Sequence, residues 1–168
     1  MFQIGQVVSY GIDGVCTITE MKNMKVGHTR SPYYVLKPIH RSGSTIFVPM
    51  NNEAMVAKMK DVLSASEIND LLSSVKDEEI AWIEDANERK TEYQKILMEG
   101  NRLEKVRLVR TLLQRRQHLQ KNGKHLRSGD EQILREAEKL LVDEFSLVLK
   151  IPEEKVPEYI RTHVEMSA

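Results

Sequence analysis

The chain has 168 residues, of which 40% are hydrophobic and 30% are charged, the balance of an ordinary soluble protein. This length allows one medium-sized domain or two small ones. The 25 basic and 25 acidic residues cancel. Any function that needs positive charge must therefore depend on a local concentration of it.

We expect neither a membrane span nor a secretory signal in this sequence. No stretch of about 18 apolar residues exists, and the first residues lack the basic start and apolar core of a signal peptide. Cys16 is the only cysteine, so an intrachain disulfide is impossible, as suits a reducing cytosol. We expect a cytoplasmic protein in which Cys16 is a small core residue.

The first fifty residues predict β-strands. Four segments are rich in β-branched and aromatic residues: VVSY (7–10), VCTITEM (15–21), YYVLKPI (33–39) and STIFVPM (44–50). They are separated by glycines, which favour turns: Gly11, Gly14, Gly27 and Gly43. Short strands at this spacing predict a small barrel or a strongly bent sheet.

From about residue 52 the hydrophobic period becomes helical. Ser64 with Glu67 matches a capping box. Further helices are predicted in IAWIEDANERKTEYQKILMEGN (80–101), ending at Gly100, then in 102–121, in a segment opened by Ser128 or Asp130 as N-cap, and in 151–164. The predicted fold class is α+β, with a small N-terminal β-barrel in residues 1–55 and an all-α domain in residues 56–168.

Charge alternates along the helical half. Residues 61–88 hold nine acids and one base, residues 89–127 hold twelve bases and three acids, and residues 128–168 hold five bases and ten acids. On a helical wheel of the 102–121 segment, one polar ridge about 20 Å long opposes the apolar side. Its members are Arg107, Arg110, Gln114, Gln117 and Lys121.

Two interpretations of this ridge stay open. It can bind DNA phosphates with counterion release, weakly and without reading sequence. Alternatively, it is a solvated surface whose bases pair with acids such as Glu136, Glu138 and Asp143.

Trp82, the only tryptophan, also has two interpretations. It lies just ahead of Arg89 and Lys90, where an aromatic ring can wedge into a minor groove or stack on an unpaired base. It can equally pack in the helical core with Ile83.

The sequence patterns of catalytic sites are missing. There is no HExxH, no cysteine pair for zinc, no phosphate-binding glycine loop and no GxSxG. We therefore expect no catalytic residues, no metal, no cofactor and no small-molecule substrate. A small hydrolase with an unrecognised site is the alternative, and no clustered nucleophile and base supports it.

The order of these parts resembles one family. FQIGQVVSYGIDGVCTITEM (2–21) resembles the opening of the CarD/CdnL family of bacterial transcription regulators, and YYVLKPI and STIFVPM are similar to its later strands. In the helical half, EYQKILMEGN, VRLVRTLLQRR and SGDEQILREAEKLLVDEFSLVL resemble its C-terminal domain.

This resemblance implies a function. The N-terminal module would be a Tudor-like barrel that binds the β subunit of bacterial RNA polymerase, through Met24, Lys25, Val26, Ile46, Phe47 and Val48. The helical module would contact promoter DNA at the upstream edge of the bubble and stabilise the open complex. A protein–protein adaptor, whose helical domain leaves DNA untouched, is the alternative.

The resemblance also implies site residues. The sequence departs from the family's pattern at some of them. The expected DNA contacts are Trp82, Arg89, Lys90, Arg107, Arg110 and Lys121. Members often carry Arg where this chain has Met24 and Phe47. The usual Trp position falls on Ala86, so Trp82 would lie one helical turn earlier, on nearly the same helix face.

Overall fold

A β-sheet in the first part of the chain is followed by a helical region, which confirms the α+β class. The computed structural model describes residues 1–76, 78 and 81–164. The chain forms two units, Met1–Val62 and Leu63–Ala168, which we call the sheet unit and the helical unit.

The sheet unit is one antiparallel sheet. Its elements are β1 (Val7–Tyr10), β2 (Val15–Val26), β3 (Thr29–Pro38), β4 (Ile46–Pro49), the short helix α1 (Glu53–Val56) and β5 (Met59–Asp61). The strands lie in the order β4-β3-β2-β1-β5. The last strand was not predicted, because its three residues lie in a stretch with a helical pattern. A bulge between Ile18 and Glu20 interrupts the register of β2 against β3.

The long β2–β3 hairpin turns at Gly27, which has a φ of +67°, a conformation that favours glycine. Alternate side chains of the strands face one core, including Val8, Ile18, Leu36 and Val48. Cys16 is buried in that core, as expected.

The described residues of the helical unit form five α-helices: α2 (Ala65–Ser74), α3 (Ala86–Glu99), α4 (Arg102–Lys121), α5 (Ser128–Leu149) and α6 (Val156–Val164). The capping box of Ser64 and Glu67 at the start of α2 is confirmed. The predicted N-cap of α5 is wrong, because the helix starts at Ser128 itself. Arg127 is the N-cap, with no capping bond from its side chain.

Helix α3 begins later than predicted. The side chain of Asp85 accepts hydrogen bonds from the backbone N–H groups of Asn87 and Glu88, at 2.8 and 3.2 Å, and fixes the first turn at Ala86. Residues 81–85 are not helical, and residue 80 lies outside the described part. Trp82 therefore precedes the helix, and the idea that it shares a helix face with position 86 is wrong.

The predicted apolar face of α4 is confirmed, since Val106, Val109, Leu112 and Leu113 are all buried. They join a core that includes inward residues of α5, namely Ile133, Ala137, Leu141 and Phe145. Within residues 1–76, 78 and 81–164, every helix is too short or too polar to cross a lipid bilayer.

Candidate nucleic-acid and polymerase interfaces

Arg110 does not lie on an exposed ridge. Only 2% of the residue is accessible to solvent. One guanidinium nitrogen, Nη2, donates to the carbonyl oxygen of Lys76 at 2.8 Å, and Nη1 donates to that of Glu78. The helical wheel is wrong at this position because Lys76 and Glu78, which follow α2, present their backbone carbonyls to the side chain. Arg110 thus satisfies backbone acceptors that follow a helix end.

Arg107 is paired with the same segment. Its Nε and Nη2 atoms donate to the two carboxylate oxygens of Glu78, at 2.7 and 2.8 Å. The hydrogen bond from Arg107 lowers the pKa of Glu78, and the same bond raises the pKa of Arg107. The Arg107 side chain is still 42% exposed. A ligand can therefore reach this guanidinium, but only in competition with a bidentate carboxylate.

The second half of the predicted ridge is on the surface. Gln114, Gln117 and Lys121 are exposed, and the segment after α4 adds exposed Lys124 and Arg127. The wheel is therefore confirmed for the C-terminal half of α4. This half carries the cationic surface that the helix offers to solvent.

Arg89 is buried, with 4% of the residue exposed. Its Nε and Nη2 atoms donate to the two oxygens of Asp130, both at 2.9 Å, and its Nη1 donates to the carbonyl of Ile83 at 2.8 Å. The hydrogen bonds to Asp130 raise the pKa of Arg89. Its neighbour Lys90 is exposed. Of this predicted basic pair, only Lys90 presents its charge to solvent.

The environment of Trp82 has features of both interpretations that the sequence allowed, core packing and a partly exposed ring. It is partly buried and packs against the helical core, with its ring edge-on to Tyr93 at 6.2 Å between centroids. Two guanidinium carbons lie over the indole, that of Arg89 at 4.5 Å and that of Arg115 at 5.1 Å from the ring centroid. The sequence did not reveal Asp130 or Arg115, because no local pattern links them to position 82.

The predicted polymerase-facing residues differ in exposure. On β4, Phe47 is 40% exposed, Val48 is fully buried and Ile46 is partly buried against the core. On β2, Lys25 and Val26 are exposed and Met24 is partly buried. Strand β4 is at the edge of the sheet and pairs only with β3 among the described strands. The ring of Phe47 has the ammonium group of Lys22 at 5.8 Å from its centroid.

Comparison with known proteins matches both units. Residues 2–60 match the model of the CarD-like/TRCF RID domain, which is Tudor-like, and residues 67–161 match that of the CarD C-terminal domain. A search among curated proteins found no match to the chain. The two matched domains follow one another in the order that the sequence resemblance predicts. The chain therefore belongs to the CarD/CdnL family of transcription regulators that interact with RNA polymerase.

Proposed function

We propose that the protein binds the β subunit of a bacterial RNA polymerase through its sheet unit and contacts promoter DNA through its helical unit. The DNA contact lies near the upstream edge of the transcription bubble, and its result is a more stable open complex. The protein acts in the cytoplasm by binding alone, without a catalytic step, a metal or a cofactor.

The edge of β4 supports the polymerase contact. An edge strand offers unpaired backbone groups to a strand of the partner, which is a recurring mode of recognition. Phe47 adds an exposed aromatic side chain, while the buried side chain of Val48 restricts that residue's contact to its backbone. Lys25 and Val26, the other exposed members of the predicted set, lie at the end of β2 next to the hairpin turn.

The DNA contact is supported above all by the environment of Trp82. An indole that is partly exposed and flanked by two guanidinium groups combines an aromatic surface with positive charge, and both favour nucleic acid. Lys90 and Lys121 are exposed and suited to contact the DNA backbone. Arg107 can join them by exchanging Glu78 for a phosphate. Arg89 and Arg110 are buried and bond to groups of the protein itself.

A weak DNA contact is sufficient because the polymerase holds the protein close to its DNA site. Tethering replaces the bulk concentration by a much higher effective concentration. The protein stabilises the open complex only by the difference between its affinities for the open and closed states. A difference of about 1.4 kcal/mol changes their ratio tenfold, and one stacked aromatic contributes about 1–3 kcal/mol.

The test is the lifetime of open complexes formed by purified polymerase. We expect Trp82→Ala and Lys121→Ala to shorten the lifetime while the affinity of the protein for polymerase stays constant. Lys139→Ala, at an exposed lysine in the middle of α5, is the matched control and should behave like wild type. Wild-type lifetimes for both Trp82→Ala and Lys121→Ala would reject the DNA contact.

The polymerase contact is tested separately. Phe47→Asp should abolish binding of the full-length chain to the β subunit, because it places a charge on the exposed side of β4. Lys60→Asp, on the opposite edge strand β5, should bind normally. Equal binding of both variants would exclude β4 as the contact.

An adaptor remains the second candidate, because all three predicted DNA-binding arginines bond to groups of the protein itself. Arg89, Arg107 and Arg110 each bond to a carboxylate or to backbone carbonyls. In an adaptor, Lys90→Ala and Lys121→Ala would change neither DNA affinity nor its salt dependence. In a DNA-binding protein, each lost phosphate contact reduces the slope of log K against log salt by about 0.9.

A further inference from the structure

The two arginines over Trp82 are held in different ways. Arg89 is buried and forms a bidentate pair with Asp130, which is itself 6% exposed. Arg115 is partly buried, and among the described residues no carboxylate lies within ion-pair distance of it. Its guanidinium carbon lies over the indole of Trp82, 5.1 Å from the ring centroid.

Arg89 is fixed by three of its nitrogen atoms. Two donate to Asp130 and the third donates to the carbonyl of Ile83, the residue directly after Trp82. Trp82 lies outside α3, so helical hydrogen bonds do not hold its backbone. Arg89 therefore restrains Trp82 by two contacts. It bonds the carbonyl of the next residue, Ile83, and it lies over the face of the indole ring. If its guanidinium moved away, the carboxylate of Asp130 would be left buried and unpaired.

Arg115 is held less tightly. The attraction between a cation and an aromatic ring does not require the N–H groups of the cation to point in one direction. The N–H groups of Arg115 can therefore turn toward a new acceptor. A guanidinium forms two parallel hydrogen bonds with a phosphate. Arg115 also lies in the C-terminal half of α4, where its chain neighbour Gln114 is exposed. That is the half of the helix whose polar side faces solvent.

We propose that these two arginines have separate roles: Asp130 and Arg89 position Trp82, and Arg115 is the residue that contacts a backbone phosphate beside it. The second role rests on the DNA-binding function proposed above. The first concerns the folded protein alone and does not depend on that function. Asp130 and Arg89 are thus positioning residues, and Arg115 is an additional DNA-contacting residue.

The positioning role can be measured directly because Trp82 is the only tryptophan, so all indole fluorescence comes from it. Asp130→Asn and Arg89→Lys should each shift the emission of the full-length protein to the red and increase quenching by iodide. A lysine ammonium cannot reproduce the two parallel hydrogen bonds to Asp130 together with the third to the carbonyl of Ile83, so retaining the charge should not rescue the signal. Wild-type emission and quenching in both variants would overturn this half of the proposal.

Loss of the fold would imitate this result, so far-UV circular dichroism is recorded for each variant. Asp130→Glu retains the charge and changes only its reach, and it serves as a milder second variant. We expect it to stay helical and to give a smaller red shift of the same sign. A helical Asp130→Glu variant with unchanged emission would also count against the positioning role.

The contact role is tested on complexes of the full-length protein with polymerase and fluorescein-labelled promoter DNA. Arg115→Ala should weaken DNA binding and reduce the salt slope by about 0.9, the value for one phosphate contact. Arg115→Lys should retain that slope. Arg89→Lys should weaken DNA binding as much as Arg89→Ala does, which a phosphate contact at Arg89 would not predict. Arg116→Ala is the matched control, since Arg116 approaches Glu131 at 3.9 Å.

The outcomes separate the two hypotheses. If Trp82→Ala weakens DNA binding and Arg115→Ala leaves the affinity and salt slope unchanged, the phosphate contact at Arg115 is wrong and the proposed function stands. If every variant binds DNA like wild type, the DNA-binding function fails together with the role of Arg115. The fluorescence result then still decides whether Asp130 and Arg89 position Trp82.

Discussion

Replacing Arg110 by Met should destabilise the protein strongly, although Arg110 belongs to a sequence pattern typical of a DNA-binding ridge. Methionine keeps the apolar stem of the buried side chain and removes the donors to the carbonyls of Lys76 and Glu78. Hydrogen bonds from a charged donor contribute about 1.5–3 kcal/mol each. Part of the loss is offset because Nε of Arg110 is buried without a partner among the described atoms. We therefore expect a net loss of about 3 kcal/mol.

The assay is equilibrium unfolding in urea. With a slope of about 1–3 kcal/mol per molar for a small protein, the loss lowers the midpoint by roughly 1–3 M. Gln117→Met makes a similar change at an exposed position of the same predicted ridge and should stay within about 0.5 kcal/mol of wild type. The reasoning is refuted if the two variants unfold at the same midpoint and Arg110→Met alone loses DNA affinity, because Arg110 would then face solvent.

Two further predictions concern α3 and the helix ends. The hydroxyl of Tyr93 is buried without a hydrogen-bond partner in the described part of the chain, so Tyr93→Phe should retain or increase the free energy of unfolding at neutral pH. Burial raises the pKa of Tyr93 from 10.0 to about 12. The stability that depends on a neutral Tyr93 hydroxyl is therefore fully present below pH 10 and is lost as the pH rises toward 12. The free energy of unfolding of Tyr93→Phe, measured in urea titrations, should decline less over this range. Gly100→Ala should lower the melting temperature, because the new Cβ would lie 2.5 Å from the carbonyl oxygen of Ile96. Gly129→Ala, with nothing within 4 Å of its Cβ, should not lower it.

Local patterns predicted much of the fold. The strands of the sheet unit follow from short β-branched runs between glycines, and the buried face of α4 follows from its helical period. The capping box at Ser64 is also local, since both partners lie within four residues. The start of α3 carried a similar signal, Asp85 followed by Glu88 three residues later. The apolar residues before it favour an earlier helix start, which the structure does not show.

The candidate site was harder to predict, because the partners of its charged residues are distant in sequence. Asp130 is 41 residues from Arg89, and the two carbonyls bound by Arg110 lie 32 and 34 residues before it. A helical wheel treats everything outside the helix as solvent, so it assigns such arginines to the surface. It remained correct for Gln117 and Lys121, over which no other described segment folds.

Several acids of the helical unit pair with arginine side chains. Asp130, Glu78, Glu144 and Glu138 are each held by an arginine, namely Arg89, Arg107, Arg102 and Arg161. Lys90, Lys121 and Lys139 are exposed instead. Arg89, Arg102 and Arg107 each bond the two carboxylate oxygens through two guanidinium nitrogens. A lysine ammonium cannot reproduce this geometry, so exchange of Arg and Lys is a large change at these positions and a small one at the exposed lysines. Across evolutionary time, each arginine should be gained or lost together with its acid. The exposed lysines should be replaced without a matching replacement elsewhere.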